Sequence, residues 1–276
     1  MSACPACGGS STRPLYQVGA FPIVQCQCGL VRTAVPPDFD PAAIYTDAYF
    51  RGGQHDGYVD YAGSADELRP AFRALVRRLA ARTGGGALIE IGSAYGFFLD
   101  EARAAFRACG VEISDAAREA CRARGLDVAR ELSPEVLAKG PFDAAVMLDV
   151  IEHLTDPGDV LSQLHGALRP GAPLVVSTGD IGSRFARLMG KRWRLMTPPQ
   201  HLWFFSAQTL GALLERCGFR VETVAYPWRR VPLSLIAYQA SRYIGPRAQA
   251  AIRRLPLSGG IPVNLFDSMH VTAARA

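Results

Sequence analysis

Three residues near the middle of the chain combine acid, base and metal-binding chemistry within five positions. Asp149, Glu152 and His153 directly follow the apolar run 142–148. If the chain turns helically there, the i, i+3 and i+4 spacing places the three side chains on one face. Carboxylates beside an imidazole can exchange protons with a substrate or bind a divalent cation. His201, which follows two prolines and precedes an aromatic stretch, is a candidate to complete either arrangement.

We therefore predict Glu152, His153 and His201 as the catalytic residues. Two alternatives stay open at this stage. The cluster around Asp149 could hold a metal ion, or the histidines could be buried residues with a purely structural hydrogen-bonding role.

A second group of residues forms a turn that could approach a ligand closely. An apolar run over 87–91 leads into Gly92, Ser93 and Gly96, and Glu112 follows the next apolar stretch. Glycine lets the backbone approach a ligand because no Cβ intervenes, and a carboxylate can accept hydrogen bonds from two hydroxyl groups at once. An acidic residue about twenty positions after such a turn is typical of a nucleoside-binding crevice in a parallel sheet.

Four cysteines near the start form two close pairs, Cys4 with Cys7 and Cys26 with Cys28. Each pair precedes a glycine, as in the two knuckles of a zinc ribbon, and four thiolates suit a structural zinc site. The second pair is C-x-C rather than C-x-x-C, so a metal-free remnant is the alternative. The other three of the seven cysteines lie in apolar, periodic segments, which predicts buried thiols rather than disulfides.

Composition limits the class of protein. The 276 residues are 49% hydrophobic, enough for one full α/β core with a small appendage. The first residues lack a basic and apolar leader, and no stretch has the length of a membrane span, so a cytoplasmic location is expected. The net charge of +5 permits phosphate-bearing partners without requiring them.

The elements that must position these residues alternate regularly. We predict one helix over 65–81, capped by Ser64, and a second over 96–107. A third is expected to be capped by Asp115 and to end at Gly125. Two further helices are expected to start at Pro157 and after Ser206. Predicted strands cover 87–92, 109–113, 142–148, 173–178, 219–225 and 267–274. Strands that alternate with helices favour a mostly parallel sheet with helices on both faces.

Several motifs together resemble the class I S-adenosylmethionine-dependent methyltransferases: Glu90-Ile-Gly-Ser-Ala-Tyr-Gly96, Val111-Glu-Ile-Ser114, Phe142-Asp-Ala-Ala-Val-Met-Leu-Asp-Val-Ile-Glu-His153, Leu168-Arg-Pro-Gly171 and His201-Leu-Trp-Phe-Phe-Ser206. The resemblance covers about residues 84–276 and implies a Rossmann-like seven-stranded sheet. It implies that Glu90, Gly92 and Gly96 approach the methionine part of S-adenosylmethionine and that Glu112 holds the ribose hydroxyls. We place Ser93, Leu148 and Asp149 in the same cofactor site. One departure is Ala94, where the family pattern has its middle glycine.

With the cysteine pairs included, the chain resembles zinc-ribbon-bearing methyltransferases of sugar and secondary-metabolite pathways. We predict a zinc-ribbon-like segment over 1–35, an aromatic connector and cap helix over 36–82, and a methyltransferase domain over 83–276. The expected substrate is a small molecule, phosphorylated or glycosyl in character. The basic stretch 184–194 is a candidate phosphate-binding segment; the alternative is a solvated amphipathic helix whose Phe185, Leu188 and Met189 pack inward. The apolar run 231–243 is a candidate homodimer face.

Three other functions fit the sequence less well. A dinucleotide-dependent oxidoreductase would need Gly-x-Gly-x-x-Gly, but Ala94 interrupts the pattern and Phe97 and Phe98 crowd the pyrophosphate space. A metal-dependent RNA 2′-O-methyltransferase is disfavoured by the modest charge, and a non-catalytic interaction protein that binds partners through its zinc ribbon is the third hypothesis.

Overall fold

The computed structural model describes residues 3–36, 39, 44, 65–233, 236, 237 and 259–276. Three predictions therefore lie wholly or mostly outside the described residues. These are the aromatic connector between 36 and 64, the cap at Ser64 and the candidate dimer face over 231–243.

Thirteen strands and seven α-helices are found among the described residues. The strands are β1 (Thr12–Val18), β2 (Phe21–Cys26), β3 (Val31–Thr33), β4 (Gly86–Ile91), β5 (Phe106–Val111), β6 (Asp127–Ala129), β7 (Ala144–Leu148), β8 (Pro173–Gly179), β9 (Trp203–Phe204), β10 (Phe219–Ala225), β11 (Arg229–Pro232), β12 (Gly260–Val263) and β13 (Ser268–Arg275). The helices are α1 (Ala65–Thr83), α2 (Phe97–Ala102), α3 (Asp115–Ala123), α4 (Pro134–Leu137), α5 (Pro157–Ala167), α6 (Arg184–Met189) and α7 (Ala207–Arg216).

The main sheet has seven strands in the order β10-β13-β8-β7-β4-β5-β6. Pairings among β8, β7, β4, β5 and β6 are parallel, whereas β13 runs antiparallel to both β8 and β10. The carboxyl ends of the parallel strands therefore meet at one edge, where a ligand crevice is expected.

Helices cover both faces of this sheet because its central strands are apolar on both sides. On β4, Leu88 packs in the cluster that contains Leu75 and Leu79 of α1. Ile89 packs on the opposite face with Leu161 of α5 and Leu213 of α7. The predicted fold class, a Rossmann-like and mostly parallel seven-stranded sheet, is confirmed.

A second, four-stranded sheet has the order β1-β2-β3-β9 and is antiparallel throughout. Its first three strands come from the cysteine-containing segment, and β9 comes from the stretch just after His201. Ile23, Val31 and Phe204 share a buried core with Ala186 of α6 and Trp193. The N-terminal segment is thus joined to the larger part of the chain by strand pairing.

Two predicted boundaries were wrong. The helix expected over 96–107 ends at Ala102, and the strand expected over 109–113 begins at Phe106. The Ala- and Arg-rich sequence favours helix locally, yet Phe106 is buried and pairs with Gly86, so sheet pairing overrides propensity. The predicted cap Asp115 was also wrong, because Ser114 accepts the N–H of Ala117 instead.

No α-helix among the described residues is long and apolar enough to span a membrane.

Candidate active site

The turn after β4 is tied to the end of β5 by hydrogen bonds. Gly92 and Ser93 donate their N–H groups to the carbonyl of Val111, at 2.8 and 3.0 Å. Ala94 donates its N–H to Oε2 of Glu112 at 2.8 Å, and Ser114 donates to Oε1 of the same carboxylate at 2.8 Å. The predicted ribose anchor is therefore fixed against the glycine turn by both of its oxygens, and each oxygen retains a further lone pair.

Two buried carboxylates lie next to this turn. Glu90 is 3% exposed and Glu112 is 7% exposed. Burial, and then the charge of Glu112, raises the pKa of Glu90 well above its ordinary value. Burial also raises the pKa of Glu112, although the N–H groups of Ser114 and Ala94 oppose that shift. Oε2 of Glu90 has no hydrogen-bond partner among the described residues, which is unusual for a buried polar atom.

The end of β7 carries the next predicted residues. Leu148 ends the strand, and Asp149 follows it with a φ of 55°, in the left-handed region that non-glycine residues rarely occupy. Ser177 of β8 donates its hydroxyl to Oδ1 of Asp149 at 2.8 Å, and Asp149 N–H lies 3.0 Å from both the carbonyl and the hydroxyl oxygen of Ser177. Sequence reasoning missed Ser177, whose only signal was a polar residue at the carboxyl end of an apolar strand.

The predicted catalytic residues come together, although not by the predicted helical spacing. Only Ile151–His153 form a short 3₁₀ turn, and the left-handed backbone of Asp149 breaks the expected helix. One ligand atom each from Glu152, His153 and His201 lies within 4.8 Å of the others. The two imidazole rings are 4.7 Å apart, edge to face. Asp149 is not part of this group.

Backbone carbonyls orient both imidazoles. Nδ1 of His153 lies 2.8 Å from the carbonyl of Gln200, and Nδ1 of His201 lies 2.8 Å from the carbonyl of Leu195. A carbonyl only accepts, so each Nδ1 carries the proton and each Nε2 keeps the lone pair. Burial lowers the pKa of His153, and burial together with His153 lowers the pKa of His201 to about 3. Both rings are therefore neutral near pH 7, with Nε2 as the basic or metal-binding atom.

The four N-terminal cysteines are also brought together. Their sulfurs lie within 4.8 Å of one another, with Cys4 3.7 Å from Cys28 and Cys7 3.6 Å from Cys26. A tetrahedral Zn–S distance of about 2.3 Å corresponds to sulfur separations of about 3.8 Å. The hydrogen bond from Gly9 N–H lowers the pKa of Cys7 to about 7, whereas burial raises the pKa of Cys28 to about 12. Donor type and spacing therefore fit zinc.

The basic stretch 184–194, which follows β8, has exposed cations along most of its length and buried contacts at its end. Arg184, Arg187, Lys191 and Arg192 are exposed. The prediction that Leu188 packs inward was wrong, because this residue is 84% exposed on the short helix α6. Arg194 and the indole N–H of Trp193 both donate to the buried carboxylate of Asp267. The basic stretch thus presents four cations while its end is held to the start of β13.

Comparisons with known proteins show the family of the chain. Residues 65–224 match the family model described as a methyltransferase domain. A ubiquinone biosynthesis O-methyltransferase of Methylococcus capsulatus is 30% identical over 45% of this chain and 54% of its own length. A probable S-adenosylmethionine-dependent methyltransferase of Mycolicibacterium smegmatis is 33% identical over 53% and 56%. The chain thus spans about half the length of these relatives. Relatives matched over shorter stretches are named tRNA U34 carboxymethyltransferases.

Among solved structures, magnesium protoporphyrin IX methyltransferase of Synechocystis, with bound S-adenosylmethionine, superposes with a TM-score of 0.52. It shares 14% identity, and the match covers 88% of this chain and all of that protein. At that identity the likeness concerns the fold.

Proposed function

The chain belongs to the class I S-adenosylmethionine-dependent methyltransferases, and from that premise we propose that it methylates a small molecule, a sugar or secondary-metabolite intermediate, at the cluster of Glu152, His153 and His201. One observation supports this above the others. The two neutral imidazoles and the buried carboxylate meet just after β7, and a Cβ added to Gly92 of the turn after β4 would lie 2.3 Å from Cγ2 of Val150, which precedes them in the chain. Base and cofactor site would then share one crevice.

The residues of the turn fit the cofactor. The buried, unpartnered Oε2 of Glu90 suits a cationic or hydrogen-bond-donating group, and Glu112 offers lone pairs to the ribose hydroxyls. Gly92, Ser93 and Gly96 would line the turn, and Leu148 and Asp149 would close the opposite side. Bound S-adenosylmethionine supplies an electrophilic methyl group on a sulfonium.

The chain's own contribution to the reaction is alignment and proton transfer. In-line displacement depends on how well the acceptor atom is held, and positioning lowers the barrier by several kcal/mol. We propose that Nε2 of His153 takes the acceptor proton, with Glu152 stabilising the resulting charge and His201, whose pKa of about 3 makes it a weak base near pH 7, contacting the acceptor beside it. The cations at Arg184, Arg187 and Lys191 would bind a phosphate on the acceptor.

Calorimetry with S-adenosylmethionine and with its demethylated product tests the cofactor site. Wild-type protein is expected to bind both, and Glu112→Ala is expected to weaken binding about 10- to 100-fold because a charge-assisted pair of hydrogen bonds is lost. Glu119→Ala, an exposed acid on α3, is the matched control and should bind normally. Absence of binding by the wild type would overturn the proposal.

Methyl transfer from labelled S-adenosylmethionine to a panel of nucleotide sugars and phenolic intermediates tests the chemistry. Turnover is expected to fall about 10²- to 10⁴-fold in His153→Asn or His201→Asn, with cofactor affinity retained. Cofactor binding without turnover on any acceptor, together with a stably co-purifying protein, would favour a non-catalytic role.

A second candidate function rests on the donor set of the same cluster. One carboxylate and two Nε2 atoms within 4.8 Å also suit a divalent metal ion, and a metal-dependent RNA methyltransferase would use them so. That function predicts activity abolished by a chelator and RNA affinity that falls steeply with salt. Chelator-insensitive turnover on a small molecule would exclude it.

We also propose that residues 1–35 form a zinc module, that 36–82 connect it, and that Cys4, Cys7, Cys26 and Cys28 bind one zinc ion. Elemental analysis of purified protein should find zinc, and Cys26→Ser should lose it. Cys109→Ser, a buried cysteine of β5 outside the cluster, should keep it. A zinc-free wild type purified without chelators would contradict this assignment.

A further inference from the structure

His201 is held by its backbone as well as by its ring. Its carbonyl oxygen accepts the hydroxyl of Thr33 at 2.6 Å, and its N–H donates to the carbonyl of Thr197 at 3.1 Å. The hydrogen bonds of its ring and of its backbone N–H both go to nearby residues, Leu195 and Thr197. The bond from Thr33 comes from the N-terminal segment, more than 160 residues away in sequence.

Thr33 is well placed to fix this stretch of chain. It is 2% exposed, ends β3 and also donates its backbone N–H to the carbonyl of Leu202 at 2.9 Å. Leaving the buried hydroxyl without its partner would cost free energy. The hydroxyl bond to His201 and the N–H bond to Leu202 therefore both hold Thr33 against this stretch of chain.

The opposite side of the same stretch faces the 3₁₀ turn. Leu202 donates its N–H to the carbonyl of Glu152 at 2.8 Å, and His153 binds the carbonyl of Gln200 through Nδ1. Residues 200–202 are thus hydrogen bonded to Thr33 on one side and to Glu152 and His153 on the other.

We infer that Thr33 is a positioning residue, through which the N-terminal cysteine segment sets the place of His201 relative to Glu152 and His153. This inference rests on the proposed function only in taking that cluster as the reactive one. Thr33 donates its hydroxyl and its N–H to the backbone carbonyls of His201 and Leu202, so it would act through the chain rather than on the substrate.

Hydrogen bonds within the cysteine segment restrain the position of Thr33. Cys26 ends β2, and the turn that follows is closed by bonds from Gly29 N–H to the Cys26 carbonyl and from Cys26 N–H to the Leu30 carbonyl. β3 then pairs with β2 on one edge and with β9 on the other, Arg32 opposite Trp203. The thiol cluster, the turn and the strand therefore form one continuous path to His201.

Nitrogen-15 NMR of the imidazoles in the full-length protein tests this inference. Thr33→Val removes the hydroxyl and keeps the strand bond to Leu202, so we expect the His201 ring to move relative to the His153 ring and its ring-nitrogen shifts to change, while the bond to the Leu195 carbonyl keeps the proton on Nδ1. We also expect amide exchange at Leu202 and Trp203 to rise about 5- to 10-fold, the effect of losing one hydrogen bond. Thr33→Ser keeps a hydroxyl and should restore both signals; Thr33→Ala is the fallback if the valine variant folds poorly.

Thr209→Val is the matched control. Thr209 is 3% exposed and belongs to the capping box of α7, so its loss destabilises the protein without touching His201. An unchanged His201 spectrum in both Thr33→Val and Thr33→Ala would overturn the inference, as would an equal change in Thr209→Val. Binding of S-adenosylmethionine, measured in the same samples, should stay within about twofold. Its failure in the wild type would count against the proposed function alone, since the histidine spectra do not depend on it.

Discussion

Ala94 has a left-handed backbone, with a φ of 45°, in the turn between β4 and α2. Its N–H donates to Glu112, and its carbonyl lies 3.3 Å from the thiol of Cys121, so surrounding bonds hold it there. A Cβ in this conformation costs roughly 1–2 kcal/mol. The residue that departs from the family's glycine is therefore strained, and the strain lies beside the predicted ribose anchor.

Replacing Ala94 by glycine should raise the free energy of unfolding by about 0.5–1 kcal/mol. Relief of the left-handed strain outweighs the extra freedom of glycine in the unfolded chain. Urea denaturation measures the difference, and Ala117→Gly is the control, because that fully buried residue lies in α3 and its loss should lower stability by about 1 kcal/mol. A loss of stability in Ala94→Gly would mean that the turn does not strain this residue.

At the scale of the elements, the turn between β4 and α2 can approach β5 closely because one residue of that strand is small. A Cβ added to Gly110 of β5 would lie 2.0 Å from Oγ of Ser93 and 2.7 Å from Cδ1 of Leu99. The strand therefore needs glycine here so that the turn after β4 and the first turn of α2 can pack against it. A clash at this point would displace the turn that carries Ser93, at the edge of the sheet where the crevice is expected.

Gly110→Ala should lower the free energy of unfolding by about 1–3 kcal/mol, the usual cost of overpacking, and should weaken binding of S-adenosylmethionine. Thermal denaturation and calorimetry measure the two effects. Gly166→Ala on α5, where an added Cβ meets nothing within 4 Å, should instead raise stability by about 0.5–1 kcal/mol. The double variant Gly110→Ala with Ser93→Gly should recover part of the loss; strictly additive losses would show that the two positions do not clash.

At the scale of the whole molecule, stability depends on pH through buried groups whose effects have opposite signs. His201, with a folded pKa of about 3, stabilises the fold fully above its ordinary value of 6.5 and loses this contribution as the pH falls. Glu90, with a raised pKa, acts in the other sense, and its contribution is lost as the pH rises through the folded value. The pH dependence of the unfolding free energy of the wild type therefore contains both contributions, from His201 and from Glu90.

His201→Asn separates them, because an Asn N–H can still donate to the Leu195 carbonyl while nothing titrates. Between pH 7.5 and 5.5, the wild type should lose about 1.4 kcal/mol more unfolding free energy than the variant. Denaturant titrations at the two pH values measure this difference. Parallel pH dependences for the two proteins would show that His201 is not held neutral in the fold.

Local chemistry determined much of what the sequence predicted. The apolar runs at β4, β7 and β8 had to be buried strands, Ser206 had to cap α7, and the glycine turn with Glu112 had to lie at the carboxyl ends of two parallel strands. These features depend on residues near one another in sequence, so periodicity and capping signals were sufficient.

Only the tertiary structure decided how distant segments meet. The 3₁₀ turn at Glu152 and His153 and the pairing of Asp149 with Ser177 depend on the register of β7 with β8, which no local pattern encodes. The same holds for the start of β5 at Phe106, where sheet pairing overrides a helical sequence. The contact of Thr33 with His201 arises because β3 pairs with a two-residue strand far along the chain. Such pairing is selected by the combined burial of Ile23, Val31 and Phe204 rather than by any one segment.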